Sequence, residues 1–313
     1  MTEPLVVPGR ALCRVLTLDG GGAKGFYTLG VLKEVEALTG RPLCERFDLV
    51  FGTSTGAIIA ALVALGKTVD EIHALYKDHV PTVMRARNRA GKSAALKHLA
   101  DTIFGGARFE DVKTALGVVA TRWDFERPMI FKASVAQAHG SKASFIPGFG
   151  CTVSDAVQAS CSAYPFFERK VLTTGTGDRV ELIDGGYCAN NPTLYAIADA
   201  VMALKKDYED LRVVSVGVGI YPEPAKSPWR RLVGRLESVQ LLQKTLNINT
   251  LSMDQLRTVL FKQVATLRIS DTFEKPEMAT DLLEHNLTKL NALYQRGRES
   301  FAKQEEQLKQ FLL

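Results

Sequence analysis

The sequence predicts an α/β fold, with a mostly parallel central sheet flanked by helices and with a helical C-terminal segment. Short runs of Val, Leu and Ile alternate with stretches of helical periodicity, and glycine-rich turns follow several of these runs. Beyond a proline-rich turn at 222–228 the pattern becomes charged and helical. We therefore expect a single domain over residues 1–313, with a core at about 10–225 and a helical extension at about 226–313.

The N-terminal part alternates strands and helices. Residues 14–18 form an apolar run that predicts a buried strand, and the glycine-rich loop 19–25 follows it. In residues 26–38 apolar side chains recur at helical spacing. The short apolar run 47–51 then predicts a second strand, followed by a helix at 57–65.

The middle of the chain continues this alternation. We predict strands at 128–135, 180–183 and 211–220, the last of them rich in valine. A helix is expected at 152–163, where Thr152 or Ser154 is suited to cap its first turn. Asn191-Pro192 predicts another helix start, with asparagine as the cap and proline at the first helical position.

The C-terminal part favours helices. Residues 229–261 and 278–313 have helical patterns, and the second of these segments is highly charged towards its end. A strand is expected between them at 264–269. The sequence contains no internal repeat.

Composition narrows the class of protein. The chain has 313 residues, of which 46% are apolar and 23% charged, and this composition is ordinary for a soluble globular protein. Its net charge of +5 fits an anionic partner as well as a solvated surface. Its longest apolar run, 57–65, is too short to span a bilayer, and residues 1–10 lack a signal-peptide pattern. An odd number of scattered cysteines predicts reduced thiols in a cytosolic protein, and without CxxC or HExxH motifs we expect no metal and no cofactor. The cysteines are Cys13, Cys44, Cys151, Cys161 and Cys188.

The run Gly52-Thr53-Ser54-Thr55-Gly56 lies between a predicted strand and a predicted helix. A strand, Gly-x-Ser-x-Gly and a helix in this order predict a nucleophile elbow, in which a sharp turn exposes one serine hydroxyl near the positive end of a helix. We therefore interpret Ser54 as a nucleophile supported by Gly52 and Gly56. The alternative is a glycine-rich turn that only packs.

The loop Asp19 to Gly25 also lies between a strand and a helix. Its backbone N–H groups are suited to stabilise an oxyanion, so we assign this role to Gly21 and Gly22, with Gly20 as a third candidate and Lys24 as a nearby positive charge. The same residues match Gly-x-Gly-x-x-Gly, the dinucleotide-binding pattern, but the next strand ends in the elbow and not in the acidic residue that this pattern requires. Glycines that serve close packing alone remain a further alternative.

Asp184-Gly185-Gly186 follows the predicted strand 180–183 and supplies a carboxylate at a strand end. A serine nucleophile needs a base, and His285 is the histidine that follows Asp184 in the chain, in a segment (282–290) that we expect to be helical. Because His73, His79, His98 and His139 precede Asp184 and lie near no motif glycine, we predict that Asp184 itself is the base for Ser54, supported by Gly185 and Gly186.

Taken together, these three motifs in this order and spacing resemble the patatin-like phospholipases. The small-residue segment Ala159 to Pro165 and the run Asn190-Asn191-Pro192 are similar to that family as well. The resemblance covers about residues 10–220 and implies a patatin-like three-layer fold. It also implies a lipid acyl hydrolase with a Ser54–Asp184 dyad and an oxyanion hole in the glycine loop. Lys24 departs from the arginine that many members carry, which keeps the charge and loses the forked geometry.

The C-terminal part resembles the bacterial patatin effectors of cyclic-oligonucleotide anti-phage defence (CBASS). The similar stretches are Ser252 to Leu256, Ser270 to Phe273, Pro276 to Asp281 and Tyr294 to Ser300. This resemblance implies a latent phospholipase that a cyclic dinucleotide activates, cytoplasmic and peripheral at the inner membrane when active. The expected partners are a phospholipid membrane surface, a cyclic dinucleotide and a further copy of the chain, with no DNA or RNA polymer.

Two basic stretches bear on these partners. Between His79 and Ala100 there are five basic residues and no acid, which fits a cationic flap or lid for lipid headgroups or a nucleotide phosphate, or a solvated loop that leads into a helix. Residues 227–235 combine Trp229 with three arginines, which fits an interface anchor or a packed helix start. Two other functions remain open at this stage, a non-lipid esterase or thioesterase with the same dyad and a nucleotide-binding module without hydrolysis.

Overall fold

An eight-stranded mixed sheet forms the centre of the computed structural model, which describes residues 12–139, 142–224 and 235–313. The strands are β1 (Cys13–Leu18), β2 (Leu49–Thr53), β3 (Ala115–Arg122), β4 (Arg127–Lys132), β5 (Lys170–Thr173), β6 (Arg179–Asp184), β7 (Leu211–Val216) and β8 (Ala265–Ile269).

The strand order is β5-β6-β3-β2-β1-β7-β8, and β4 pairs with β3 outside this path. Strands β3, β2, β1, β7 and β8 run parallel to one another, whereas β4 and β6 are antiparallel to β3. The carboxyl ends of β1, β2, β3, β7 and β8 therefore meet at one edge of the sheet. We call this the carboxyl edge.

Helices cover both faces of the sheet. They are α1 (Gly25–Thr39), α2 (Leu43–Arg46), α3 (Thr55–Ala64), α4 (Val69–Arg85), α5 (Arg89–Phe104), α6 (Val153–Ser160), α7 (Gly186–Ala189), α8 (Thr193–Ala198), α9 (Arg235–Leu260), α10 (Leu287–Ala302) and α11 (Glu305–Leu312). One apolar core packs around α1 and α3, and a second packs under α8 on the other face. The predicted mostly parallel α/β fold is therefore confirmed.

Most predicted elements are present, with shifted bounds. The helix predicted at 152–163 is α6, and Thr152 caps it by accepting a hydrogen bond from the Asp155 N–H, whereas Ser154 donates to Asp101 and is not the cap. The segment 278–313 is not one helix, because α10 begins only at Leu287. The predicted helix start at 229 and the interface anchor at 227–234 lie outside the described residues.

The C-terminal part packs on the core through β8 and α10, as well as through α9. Strand β8 pairs with β7, and α10 crosses α1 where Gly30 meets Gly297. A Cβ atom at position 297 would lie 2.0 Å from the carbonyl oxygen of Tyr27, and one at position 30 would lie 2.0 Å from that of Tyr294. The two helix backbones are therefore in direct contact, which no larger residue would allow.

Replacing Gly297 by alanine is expected to destabilise the protein. In an exposed helix this change stabilises by about 0.5–1 kcal/mol through helix propensity. Here the added methyl group meets backbone atoms, and overpacking of this kind costs about 3 kcal/mol, so the clash outweighs the propensity gain. Urea unfolding should show a lower midpoint for Gly297→Ala, while Gln295→Ala, at an exposed position of the same helix, should unfold as the wild type does. An unchanged midpoint for Gly297→Ala would contradict the close helix crossing.

Candidate active site

Ser54 occupies a strained turn between β2 and α3. Its φ of 53° and ψ of −123° lie outside the regions that most residues adopt, a conformation that costs about 1–3 kcal/mol. The two flanking glycines allow this turn. A Cβ atom at Gly52 would lie 2.2 Å from the Gly56 oxygen, and one at Gly56 would lie 2.3 Å from the Leu18 oxygen.

Strand β3 sets the distance between the two predicted catalytic residues. Thr53, the last residue of β2, pairs with Val119, and Asp184, the last residue of β6, pairs with Ala120. Strand β4 pairs along one edge of β3. Strands β2 and β6 both pair along its opposite edge, β2 with residues 115–119 and β6 with residues 120–122, so their ends meet. The structure thus brings Ser54 and Asp184 together, and the Ser54 hydroxyl donates to Asp184 Oδ2 over 2.7 Å.

The Asp184 carboxylate is enclosed by backbone. Its side chain is almost fully buried, and its Oδ1 accepts a 2.7 Å hydrogen bond from the Gly186 N–H. Burial raises the pKa of Asp184 to about 6, although the Gly186 N–H and the Ser54 hydroxyl both act to lower it. A Cβ atom at Gly185 would lie 2.1 Å from the Val119 oxygen, so this glycine lets the turn pack against β3.

Ser160 holds the backbone of the elbow. Its hydroxyl accepts a 2.8 Å hydrogen bond from the Ser54 N–H and donates to the Val119 oxygen over 2.6 Å. Sequence analysis missed this role, since the run 159–165 was noted only for its small residues. A single buried serine carries no sequence signal for such a contact.

The glycine loop lies directly against the nucleophile. A Cβ atom at Gly20 would lie 3.1 Å from the Ser54 Cβ. Within the described part of the chain, the N–H groups of Gly21 and Gly22 have no acceptor, as an oxyanion donor requires. The Gly20 N–H differs, because it already donates to the Asn190 oxygen over 3.0 Å and is not free to bind an oxyanion in this structure.

A buried ion pair anchors the start of this loop. Arg268, on β8, binds both carboxylate oxygens of Asp19 and also donates to the Ser215 hydroxyl over 2.8 Å. Sequence analysis predicted the strand and gave Arg268 no role. Lys24 is buried as well, and desolvation lowers its pKa to about 8 against the attraction of Asp281 and Asp19.

No histidine completes a triad among the residues that the structure describes. His285 is exposed and lies before α10, so the helical segment predicted at 282–290 is wrong for its first part. The ring nitrogen Nδ1 of His285 lies 3.3 Å from the Leu283 oxygen. Neither Ser54 Oγ nor Asp184 has a histidine partner within the described ranges.

A largely apolar cavity of about 50 Å³ adjoins the pair. Helices α4 and α5 form one wall, so residues 79–85 and 89–100 are helical and residues 86–88 form a short loop that leads into α5. A role of this segment as a cationic flap stays a prediction. Its arginines are exposed, whereas Lys92 is buried and donates to the Met84 oxygen. The apolar lining residues include Ile58, Val80, Val83, Leu96, Leu99, Phe167, Leu242, Leu246 and Leu282.

Helix α9 lines the cavity and is bonded to the segment after Asp184. Leu242 and Leu246 on its inner face are buried, and Leu246 packs on the Gly186 backbone. Asn249 accepts from the Asn190 N–H over 2.8 Å and donates to the carbonyl oxygen of Cys188 over 3.2 Å. The helix is therefore part of the site, and Asn249 is a contact that sequence analysis did not identify.

The family model described as patatin-like phospholipase matches residues 16–197, more than half of the chain. The chain belongs to the patatin-like phospholipase family. This match confirms the family that the three motifs indicated, and all three motifs lie within residues 16–197. Over the described residues, no helix is long and apolar enough to cross a membrane, and no cluster of three or more His, Cys, Asp or Glu side chains is placed to hold a metal ion.

Similar patatins include two bacterial proteins. One from Escherichia coli, described as a cUMP-AMP-activated phospholipase, is 68% identical over 96% of this chain and 94% of its own length. A cGAMP-activated phospholipase from Pseudomonas aeruginosa is 29% identical over 65% of this chain and 61% of its own length. Among solved structures, VipD from Legionella pneumophila matches with a TM-score of 0.49 and 12% identity, over 97% of this chain and 67% of VipD.

Proposed function

We propose that this patatin is a phospholipase that hydrolyses the acyl esters of membrane glycerophospholipids, and that cUMP-AMP or a similar cyclic dinucleotide activates it. The observation that carries the hydrolase proposal is the 2.7 Å hydrogen bond from Ser54 Oγ to a buried carboxylate, beside two N–H groups without acceptors. The 68% identity to a cUMP-AMP-activated phospholipase supports the substrate and the activator.

In the proposed reaction, Ser54 Oγ attacks the acyl carbonyl carbon while its proton passes to Asp184 Oδ2. The negative charge that develops on the carbonyl oxygen is stabilised by the N–H groups of Gly21 and Gly22. Asp184 then returns the proton to the leaving alcohol, which departs as the lysophospholipid. Water attacks the acyl-serine while Asp184 accepts its proton; Asp184 then returns this proton to Ser54 Oγ as the acyl–oxygen bond breaks and the fatty acid is released.

The cavity supports a long acyl chain as the group that is transferred. Its described lining is dominated by aliphatic side chains from α3, α4 and α5, with Ser54 and Asp184 at one end. A fatty acyl chain would bury against this surface at about 0.8 kcal/mol for each CH₂ group. A short, polar acyl group would gain little from it.

The small cavity and the burial of the nucleophile support latency. Ser54 is only 9% exposed, and Leu242 and Leu246 of α9 line the cavity beside the pair. Movement of α9, which breaks the bonds of Asn249 to the segment after Asp184, would widen the access of a phospholipid to Ser54. We propose that the cyclic dinucleotide favours the open arrangement, in a cytoplasmic protein that then acts at the inner membrane surface and assembles with further copies of itself.

Fatty-acid release from phospholipid vesicles, with and without cUMP-AMP, tests this function. We expect release only with the nucleotide, and a smaller effect of 3′,3′-cGAMP as a matched cyclic dinucleotide. A soluble short-chain ester assayed in parallel separates a phospholipase from a general esterase. Hydrolysis of the soluble ester without any release from vesicles would contradict the phospholipase proposal, and equal rates with and without nucleotide would contradict activation.

The pH dependence of hydrolysis is expected to follow the ionisation of Asp184. Only the carboxylate accepts the proton of Ser54, and its pKa is raised to about 6 by burial. The value of kcat/KM on the soluble ester should therefore rise with pH, reach its plateau above about pH 7 and lie about tenfold lower at about pH 5. With an aspartate of ordinary pKa as the base, kcat/KM would already be near its plateau at about pH 5. A flat profile would therefore contradict this assignment.

A further inference from the structure

Aromatic and arginine side chains form a surface cluster next to residues that line the cavity. We call it the aromatic–arginine rim. Its members are Trp123, Phe125, Tyr164, Arg89, Arg122, Arg127 and Arg169.

The rim is held together by stacking of guanidinium groups on rings. The Arg169 guanidinium lies 4.9 Å from the ring centre of Trp123 and 5.6 Å from that of Tyr164. Arg89 lies 4.9 Å from the ring centre of Tyr164 on its own side. Because a stacked guanidinium keeps its N–H donors in the plane of the group, these arginines can still bind an anion at their edges.

The turn between β3 and β4 supplies the most exposed part of the rim. Phe125 is 57% exposed and Trp123 is 43% exposed. The guanidinium groups of Arg122 and Arg127 lie 4.2 and 5.0 Å from the Phe125 ring centre. Large aromatic side chains with this exposure are costly in water and are typical of interaction sites.

The rim lies at the carboxyl edge. Strand β3 continues beyond Ala120, which pairs with Asp184, so the turn after Arg122 extends past Ser54 and Asp184. Tyr164 lies between Ala163 and Phe167 in the chain, and both of these residues line the cavity. A surface that contacts the rim is therefore close to the cavity that contains Ser54.

The charge of this region favours an anionic partner. The turn between α4 and α5 adds two exposed arginines, Arg85 and Arg87. Among the nearby acids, Asp124 is bound by Arg122 over 3.0 and 3.1 Å, and Glu181 is bound by Arg169 over 3.3 Å. The exposed acids Glu126 and Glu168 complete this set, so arginines exceed acids here.

We propose that the aromatic–arginine rim is the surface with which this chain docks on an anionic phospholipid bilayer. The proposal rests on the proposed phospholipase function and identifies the surface that presents the cavity to its substrate. Aromatic rings enter the interfacial region of a bilayer, and arginines bind lipid phosphates. Both groups are present here, next to residues that line the cavity.

The test compares the double variant Trp123→Ser, Phe125→Ser with the control Val135→Ser. Val135 is also exposed, at 49%, and lies near the opposite edge of the sheet, where Gln137 donates to the Leu116 oxygen. Binding to phosphatidylglycerol–phosphatidylethanolamine vesicles is measured by co-sedimentation with cUMP-AMP present. Lipid release and hydrolysis of a soluble ester are measured on the same samples.

We expect the double variant to lose about tenfold in vesicle binding and in lipid release, with hydrolysis of the soluble ester within about twofold of the wild type. Val135→Ser should match the wild type in all three measurements, and binding should weaken in high salt and on purely zwitterionic vesicles.

Unchanged vesicle binding by the double variant would overturn the proposal. Loss of a self-association that the wild type shows by sedimentation, with vesicle binding retained, would also overturn it and assign the rim to a protein interface. If the wild type binds vesicles but releases no lipid, the proposed function fails, while the binding comparison still decides the role of the rim.

Discussion

Replacing Ser54 by alanine is expected to lower lipid release in the presence of cUMP-AMP by about 10⁴-fold or more, to the level without enzyme. The alanine variant lacks the oxygen that forms the acyl-enzyme. Ser54 is the hydroxyl that lies 2.7 Å from the buried carboxylate. No neighbouring serine can substitute, because the Ser160 hydroxyl donates to the Val119 oxygen.

The control for this variant is Ser162→Ala. Ser162 is also buried near the site, and its hydroxyl donates to the Gln158 oxygen over 2.7 Å. Its loss should cost about 1 kcal/mol of stability and leave activity within about threefold of the wild type. Lipid release by Ser54→Ala within about a hundredfold of the wild type would contradict the role of Ser54 as the nucleophile.

Replacing Asp184 by asparagine is expected to lower hydrolysis by about 10³-fold or more. The amide can still accept from the Gly186 N–H and contact Ser54 Oγ, so the geometry is retained, but it cannot accept the proton. Asp178→Asn, at an exposed position just before β6, should retain wild-type activity. Substantial activity in Asp184→Asn would assign the base to another group.

The same variant should be more stable than the wild type at neutral pH. The pKa of Asp184 is raised in the folded protein to about 6, so the folded state holds this proton more tightly than the unfolded chain does. The wild type therefore loses stability as the pH rises from about 4 through about 6, by up to about 3 kcal/mol, whereas the neutral amide does not. Urea unfolding should show this difference above pH 6 and a smaller one near pH 4. A loss of stability at neutral pH would show that the carboxylate is stabilising instead.

Local sequence signals predicted many elements of the fold, but no prediction was made for β5 or α4. The strand–glycine–helix units around Gly20 and Ser54 contain their turn chemistry in consecutive residues, so they were identified from the sequence. Strand β3 was missed, although it is central to the sheet. Its antiparallel pairing with β6 is a contact between distant segments, and this pairing is what brings Asp184 to Ser54.

The site was predictable only where a motif carries it. Ser54 and Asp184 each stand beside glycines that signal a tight turn. Arg268 and Asn249 act through contacts with Asp19 and Asn190 that lie far apart in the sequence, and neither has a local pattern. The contribution of α9 to the cavity lining likewise depends on how a distant helix packs, which periodicity alone does not determine.

Covalent labelling by a fluorophosphonate, followed by peptide mass spectrometry, tests the central claim most directly. The account predicts one adduct for each chain, on Ser54, with a rate that rises through about pH 6 and falls by about a hundredfold or more in Asp184→Asn. An adduct on another residue, or an unchanged labelling rate in Asp184→Asn, would contradict it.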